Sequence, residues 1–215
     1  MTISEIQEKI LTDEAFVTTE LKNFLLYYNL KHTLRWGRDN GEKDETESVA
    51  EHVYGMHILV DYFLPFYPKL DSEKVRQLTT WHDMAEAVVD DMTTKTKTDA
   101  HRQAETDAEK KITQESPEQL HPVLQVLFDE YQEQKTAEAK FVKAVDKIEP
   151  IFHMYFLAKT TEVNTDAFKT DDSGWEMSEY KEHRRPYIAN HPVLWRFDNI
   201  MTPVINDAGF FKEWA

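Results

Sequence analysis

Residues 47–94 read ESVAEHVYGMHILVDYFLPFYPKLDSEKVRQLTTWHDMAEAVVDDMTT, and where this stretch puts its polar side chains decides the fold. With helical spacing over 49–67, Val49, Val53, Met56, Val60 and Phe63 recur three and four apart along one apolar stripe. His52 lies at the edge of that stripe and faces inward. In the next segment Val75, Leu78, His82, Ala85, Glu86 and Val89 share a face, with Asp83 at its margin. Imidazole and carboxylate groups thus stand where Leu or Ile would be expected. Burying such groups is costly unless they are paired or coordinate a metal, so the stretch predicts a polar site enclosed between helices.

Outward from this stretch the chain continues to read as helices. Ser48 with Glu51 three residues later forms a capping box that opens the helix carrying His52. Pro65 and Pro68 punctuate its end, and Ser72 is placed to cap the next. Upstream, residues 16–34 predict an apolar-rich helix that delivers Arg35 and Trp36 to its end, after a short N-terminal helix capped by Ser4. Residues 37–48 are charged and hold two glycines, which suits a solvated loop.

Downstream of Asp90 and Asp91, the threonine-rich MTTKTKTD suits a loop over a site. Helices are predicted over 99–115 and 117–133, both with exposed faces. A long one follows over about 136–162, with one stripe of Phe141, Val145, Ile148 and Phe152 and another of Ala139, Val142, Asp146, His153 and Leu157. Burial on two sides makes it central. Pro150 cannot donate to the carbonyl of Asp146, so a kink is expected there. The tail reads as a polar loop, a short helix near Ser178, and a last helix opened by Asn190-His191-Pro192. With no strand-length alternation and no repeat, the expected class is all-α: a compact helical bundle forming one domain over 1–215, its core at about 14–163 and a C-terminal helical extension at about 164–215.

Composition excludes several functions. The 215 residues hold 40 acidic and 25 basic side chains, a net charge of −15, and nucleic-acid surfaces are built from clustered Lys and Arg. There is no cysteine, so disulfides and thiolate metal sites are unavailable. The five glycines form neither GxGxxG nor a P-loop. No stretch resembles a signal peptide or a membrane span, and a soluble cytoplasmic protein is expected.

His52, His82, Asp83 and Asp146 are the metal-capable residues of these helices. Two imidazoles and two carboxylates suit one divalent ion such as Mn, Co, Fe, Ni or Zn, with positions left for water or a phosphate oxygen. This H…HD…D order, with ESVAEH, HDMAEAVVDDM and AEAKFVKAVD around it, resembles the HD-domain phosphohydrolases, in particular the bacterial 5′-deoxynucleotidases and eukaryotic HD-domain-containing relatives. The resemblance covers residues 30–152. It implies metal ligation by His52, His82, Asp83 and Asp146. It also implies that Glu86 and Asp91 form the proton-handling pair, one managing the attacking water and the other the leaving 5′-oxygen. Arg35 and Trp36 match the family's RW pair, the guanidinium on the phosphate and the indole on the sugar. Asp90 replaces the small residue usual before the second carboxylate, and TTKTK replaces a proline-containing turn, so substrate preference is where this chain departs. Lys95 and Lys97 there could add positive charge toward a phosphate.

His57 follows His52 by five residues, roughly 140° around a helix, and is not expected at the same ion; His101 and His121 read as surface residues. The expected activity is hydrolysis of the 5′-phosphate of deoxyribonucleoside monophosphates by metal-activated water, with a nucleoside monophosphate as the small-molecule partner, no nucleic-acid polymer, no membrane, and a homodimer implied by the resemblance. The alternatives are a two-metal phosphodiesterase or oxygenase, and a nucleotide-binding regulatory module with a structural metal.

Overall fold

A computed structural model describes residues 1–35, 47–89, 91, 97–160 and 176–211. Trp36, Asp90, Lys95, Trp175 and Trp214 lie outside the described residues, as does most of the 92–98 loop expected over the site. The described elements are helical, in the order α1 (Ile3–Thr12), α2 (Glu14–Tyr28), α3 (Val49–Phe63), α4 (Ser72–Trp81), α5 (Glu86–Val89), α6 (Asp99–Glu115), α7 (His121–Glu133), α8 (Ala137–Thr160), α9 (Met177–Ile188) and α10 (Pro192–Asp207). Among the described residues there is no strand, only an isolated antiparallel bridge between Leu34 and Ser48. No described helix is long and apolar enough to cross a membrane.

α8 is the axis of the molecule. Ala139, Phe141, Val142, Ala144, Val145, Ile148 and Ile151 are all fully buried, so the helix is enclosed on more than one side, as its two apolar stripes require. α3, α4, α7, α9 and α10 pack on it. Ile188, Leu194, Met201, Ile205, Phe210 and Phe211 of the tail join the same apolar cluster as Met56, Phe63 and Leu78, so the C-terminal helices complete the core. Leu30, Val49, Met84, Ile112, Leu124 and Phe128 form a second, smaller cluster. Full burial of each large apolar side chain contributes about 1.5–3 kcal/mol. The helix runs on through Pro150 to Thr160.

Several boundaries differ from expectation for local reasons. α1 is capped by Thr2, not Ser4, through a capping box with Glu5, and α4 by Asp71, whose carboxylate accepts from Glu73 N and Lys74 N, not by Ser72. α2 stops at Tyr28, and Asn29–Lys31 form a 3₁₀ turn, so the segment to Leu34 is not one helix. α9 is longer than the short helix expected near Ser178. His191 occupies the N-cap of α10, with Pro192 inside the first turn. The Ser48–Glu51 capping box forms as read. The continuous helix expected through His82 and Glu86 is broken: α4 ends at Trp81, and three-residue closures follow from Met84 N to Trp81 O, Glu86 N to Asp83 O and Ala87 N to Met84 O. His82 and Asp83 fall at the start of this three-residue winding.

Candidate metal centre

Four side chains from three places in the chain converge. His52 comes from the second turn of α3, His82 and Asp83 from the turn after α4, and Asp146 from the middle of α8. One ligand atom from each lies within 4.8 Å of all the others. His82 Nε2 is 3.1 Å from Asp83 Oδ2, and His52 Nε2 is 3.7 Å from Asp83 Oδ2 and 3.5 Å from Asp146 Oδ1. His52 is fully buried and His82 nearly so.

The imidazoles are presented as ligands. The Nδ1 of His82 is 2.9 Å from the carbonyl of Thr79, to which only a protonated nitrogen can donate, so Nε2 keeps its lone pair when the ring is neutral. The Nδ1 of His52 is 2.6 Å from Glu149 Oε2, with the same result. Both Nε2 atoms are buried and make no hydrogen bond. A buried polar atom without a partner requires an explanation, and a divalent cation at the centre of the four groups supplies it. The donor set, two imidazoles and two carboxylates, fits such an ion.

The surrounding charges keep the two carboxylates in binding form. Burial alone would push the Asp83 carboxyl up, but His82 and His52 beside it hold it well below the usual carboxylate range. Asp146 is likewise opposed by burial and brought low by Lys143 and Lys147. Lys143 Nζ is 2.9 Å and Lys147 Nζ 3.3 Å from Asp146 Oδ2, and the Tyr131 hydroxyl donates to the same oxygen at 3.3 Å. Burial and the Arg35 guanidinium oppose protonation of His52, yet Asp146 and Glu149 raise its pKa to about 9.

Around the four lie the other expected residues. Arg35, buried, approaches Asp83 Oδ2 at 3.4 Å through Nη1, and its Nε is 3.9 Å from both Asp91 Oδ2 and Glu47 Oε1. Glu86 is buried; desolvation and the nearby Asp83 and Asp91 push its pKa well up, Asp91 also hydrogen-bonding to it. One of its oxygens, Oε2, is buried without a hydrogen bond. Lys97, expected as a source of positive charge toward a phosphate, is paired with Glu105 of α6. His57 hydrogen-bonds Thr80 at 3.1 Å, His101 closes the capping box of α6 with Thr98, and His121 meets the Ser116 carbonyl at 2.6 Å.

Sequence reading missed the layer behind the ligands. Glu149, three residues after Asp146, and Glu47, just before the capping box, are both buried and form with His52 a second group of metal-capable atoms. His153 Nδ1 is 3.4 Å from Glu47 Oε2. Burial and the Glu149 carboxylate raise the Glu47 pKa to about 7. Room for Glu149 is made by Gly55 of α3, where a Cβ would come within 2.6 Å of Glu149 Oε1. The D-x-x-E spacing within α8, which sets Glu149 one turn from Asp146, is the one signal the sequence held for it.

A family model described as the HD domain matches residues 27–186. The chain is similar to 5′-deoxynucleotidase HDDC2 of Homo sapiens, 37% identical over 125 residues, which cover 57% of this chain and 60% of that one. It is also similar to 5′-deoxynucleotidase hdd1 of Schizosaccharomyces pombe, 37% identical over 137 residues, covering 59% of this chain and 66% of the relative. The matched region thus spans less than two thirds of each relative's length. Among solved structures, a "predicted metal-dependent phosphohydrolase" of Magnetospirillum magnetotacticum aligns over 93% of this chain and 100% of its own with a TM-score of 0.71 at 17% identity, a likeness of fold.

Proposed function

The chain belongs to the HD domain family, and from that premise we propose that it is a metal-dependent phosphohydrolase that removes the 5′-phosphate of deoxyribonucleoside monophosphates. The observation that carries the reading is the pair of buried Nε2 atoms on His52 and His82, without hydrogen bonds and aimed with Asp83 and Asp146 at one point. The named activity of the similar human and fission-yeast proteins supports the substrate class.

His52, His82, Asp83 and Asp146 would hold one divalent ion. When bound, such an ion supplies Lewis-acid polarisation of a phosphoryl oxygen and acidifies a water. The protein's own groups do the rest. Arg35 turns a guanidinium toward the ligand cluster, where its fork can grip a phosphate oxygen pair. Burial and two neighbouring carboxylates disfavour the charge of Glu86, so it holds a proton more tightly than an ordinary carboxyl group. Asp91, hydrogen-bonded to it, is the natural acceptor or donor for that proton, so the pair can take a proton from attacking water and return one to the leaving 5′-oxygen. Trp36, next to Arg35, is assigned to the sugar, where a rigid ring can crowd a 2′-hydroxyl; Lys95 is a further candidate contact on the substrate side. Self-association is supported by an exposed stripe on α3 and the turn after it, Tyr54, Ile58, Tyr62 and Phe66, which suits an interface between two copies.

The test is phosphate release from a panel of deoxyribonucleotides, ribonucleotides and simpler phosphomonoesters with added Mn or Co. Turnover of 5′-deoxyribonucleotides supports the reading; no release from any member sinks it. Trp36→Ala should narrow the gap between deoxyribo- and ribonucleotides, and light scattering reads the dimer.

A further inference from the structure

Asp146 is given more positive charge than it needs. One oxygen, Oδ1, faces His52 and the ligand cluster, while the other, Oδ2, meets two ammonium groups and a phenol: Lys143 at 2.9 Å, Lys147 at 3.3 Å and the Tyr131 hydroxyl at 3.3 Å. A single ammonium would neutralise one carboxylate. The two lysines are one turn apart on α8, so their stems rise side by side, and Lys143 is steadied by a 3.2 Å hydrogen bond to the Tyr131 hydroxyl and by lying 5.0 Å over its ring. Their side chains keep 25% and 18% of their surface exposed where Asp146 keeps 6%. The lysine side chains are therefore more open to solvent than the carboxylate they flank, in a chain whose net charge is −15.

Once a divalent ion takes up the charge of Asp146, both ammoniums lose most of their compensation while still held beside the cluster. We propose that Lys143 and Lys147 form an anion subsite that takes the phosphate group of a monoester, or free phosphate, on the α8 side of the metal centre. Of three N–H donors on each ammonium, Lys143 directs one to Asp146 and one to the Tyr131 hydroxyl and Lys147 directs one to Asp146, so donors remain on both. The subsite deepens the phosphohydrolase reading by naming where the phosphate is gripped. It depends on that reading for the identity of the ester, not for the binding of phosphate itself.

Calorimetric titration of inorganic phosphate into the Mn-loaded protein tests the subsite without turnover. Lys147→Gln and Lys143→Gln should each raise the phosphate Kd tenfold or more, and Lys147→Arg should recover most of the loss, while Mn affinity stays within threefold of wild type or tightens. Circular dichroism identifies any variant that fails to fold, and Lys147→Arg then carries the comparison together with the dependence of the phosphate Kd on salt. Unchanged phosphate affinity in both glutamine variants overturns the subsite, as does a loss that merely tracks a loss of Mn. A wild-type protein that binds no phosphate also overturns it. If phosphate binds as described but no deoxyribonucleotide is hydrolysed, the subsite stands and the substrate reading falls. With activity present, the glutamine variants should raise KM for the monoester more than they lower kcat.

Discussion

His52 Nδ1 lies 2.6 Å from Glu149 Oε2, so α3 and α8, each the source of one candidate ligand, are tied together through the imidazole of His52 itself. The carboxylate fixes which nitrogen carries the proton and aims Nε2 at Asp83 and Asp146. Removing such a partner behind a metal-bound histidine typically costs 10–100-fold in metal affinity. Glu149→Gln should therefore weaken Mn binding by roughly that factor with helical content intact, read by calorimetry and circular dichroism. Wild-type affinity in the variant would remove Glu149 from the site.

Gly55→Ala separates stability from site geometry. Alanine is favoured over glycine inside a helix by about 0.8–1 kcal/mol, but its methyl would stand 2.6 Å from Glu149 Oε1. The carboxylate is the flexible end of its side chain, so it can yield by leaving His52. The expected outcome is a denaturation midpoint near or above wild type with weaker metal binding; stabilisation together with unchanged metal affinity would show that Glu149 has room to spare.

Glu86→Gln preserves size and removes the proton exchange with Asp91. General acid–base groups contribute about 10²–10⁴-fold to rate, and turnover should fall by that order with metal content, read by elemental analysis, unchanged. Retained activity would assign the proton transfers elsewhere.

Metal uptake should depend on pH in a defined direction. His52 has a pKa raised to about 9 in the metal-free site, so below that pH an ion must displace its proton, whereas Asp83 and Asp146 are already ionised. Apparent affinity should fall as pH drops below 9, by about tenfold per unit for one proton. Calorimetry in buffers of different ionisation enthalpy counts the proton released; a flat profile between pH 6 and 8 would contradict the assignment.

In the tail, Arg184 and Asp198 form a buried pair, with Nη2 and Nε of Arg184 at 2.6 and 3.2 Å from Asp198 Oδ1. Breaking one side of such a pair leaves a buried charge and costs about 3–5 kcal/mol. Arg184→Met should lower stability by that order in urea unfolding, because α9 and α10 are part of the core. A loss below 1 kcal/mol would mean that water reaches Asp198.

The convergence of His52, His82, Asp83 and Asp146 was legible because each lies in or at the margin of an apolar stripe, where a polar side chain is conspicuous. His52 among Val49, Met56 and Val60 is such a case, and so is Asp146 between Val142 and Ile148. Their supports were not. Glu47, Glu149, Lys143 and Lys147 are charged residues among many, and only the fold distinguishes a carboxylate buried behind an imidazole from a solvated one. The break after Trp81 was hidden for a different reason: three-residue and four-residue closures keep nearly the same apolar rhythm over one turn. The caps at Thr2 and Asp71 were displaced from Ser4 and Ser72 because all four side chains can accept a backbone N–H, and which does so depends on the entering strand of chain. Trp36 and Lys95 lie beyond the described residues, and Lys97 answers to Glu105.

The bridge between Leu34 and Ser48 closes the chain upon itself just outside the site. Arg35 N donates to Glu47 O at 2.9 Å and Val49 N to Thr33 O at 2.8 Å, so the guanidinium and the start of the His52 helix are fastened to one another across the neck of residues 36–46. Doubling the length of a closed segment adds only about 0.6 kcal/mol of entropy. The separation of Arg35 from the start of the His52 helix is therefore set by these backbone bonds far more than by how many residues join them, so the approach of the guanidinium to the cluster is decided within the described fold.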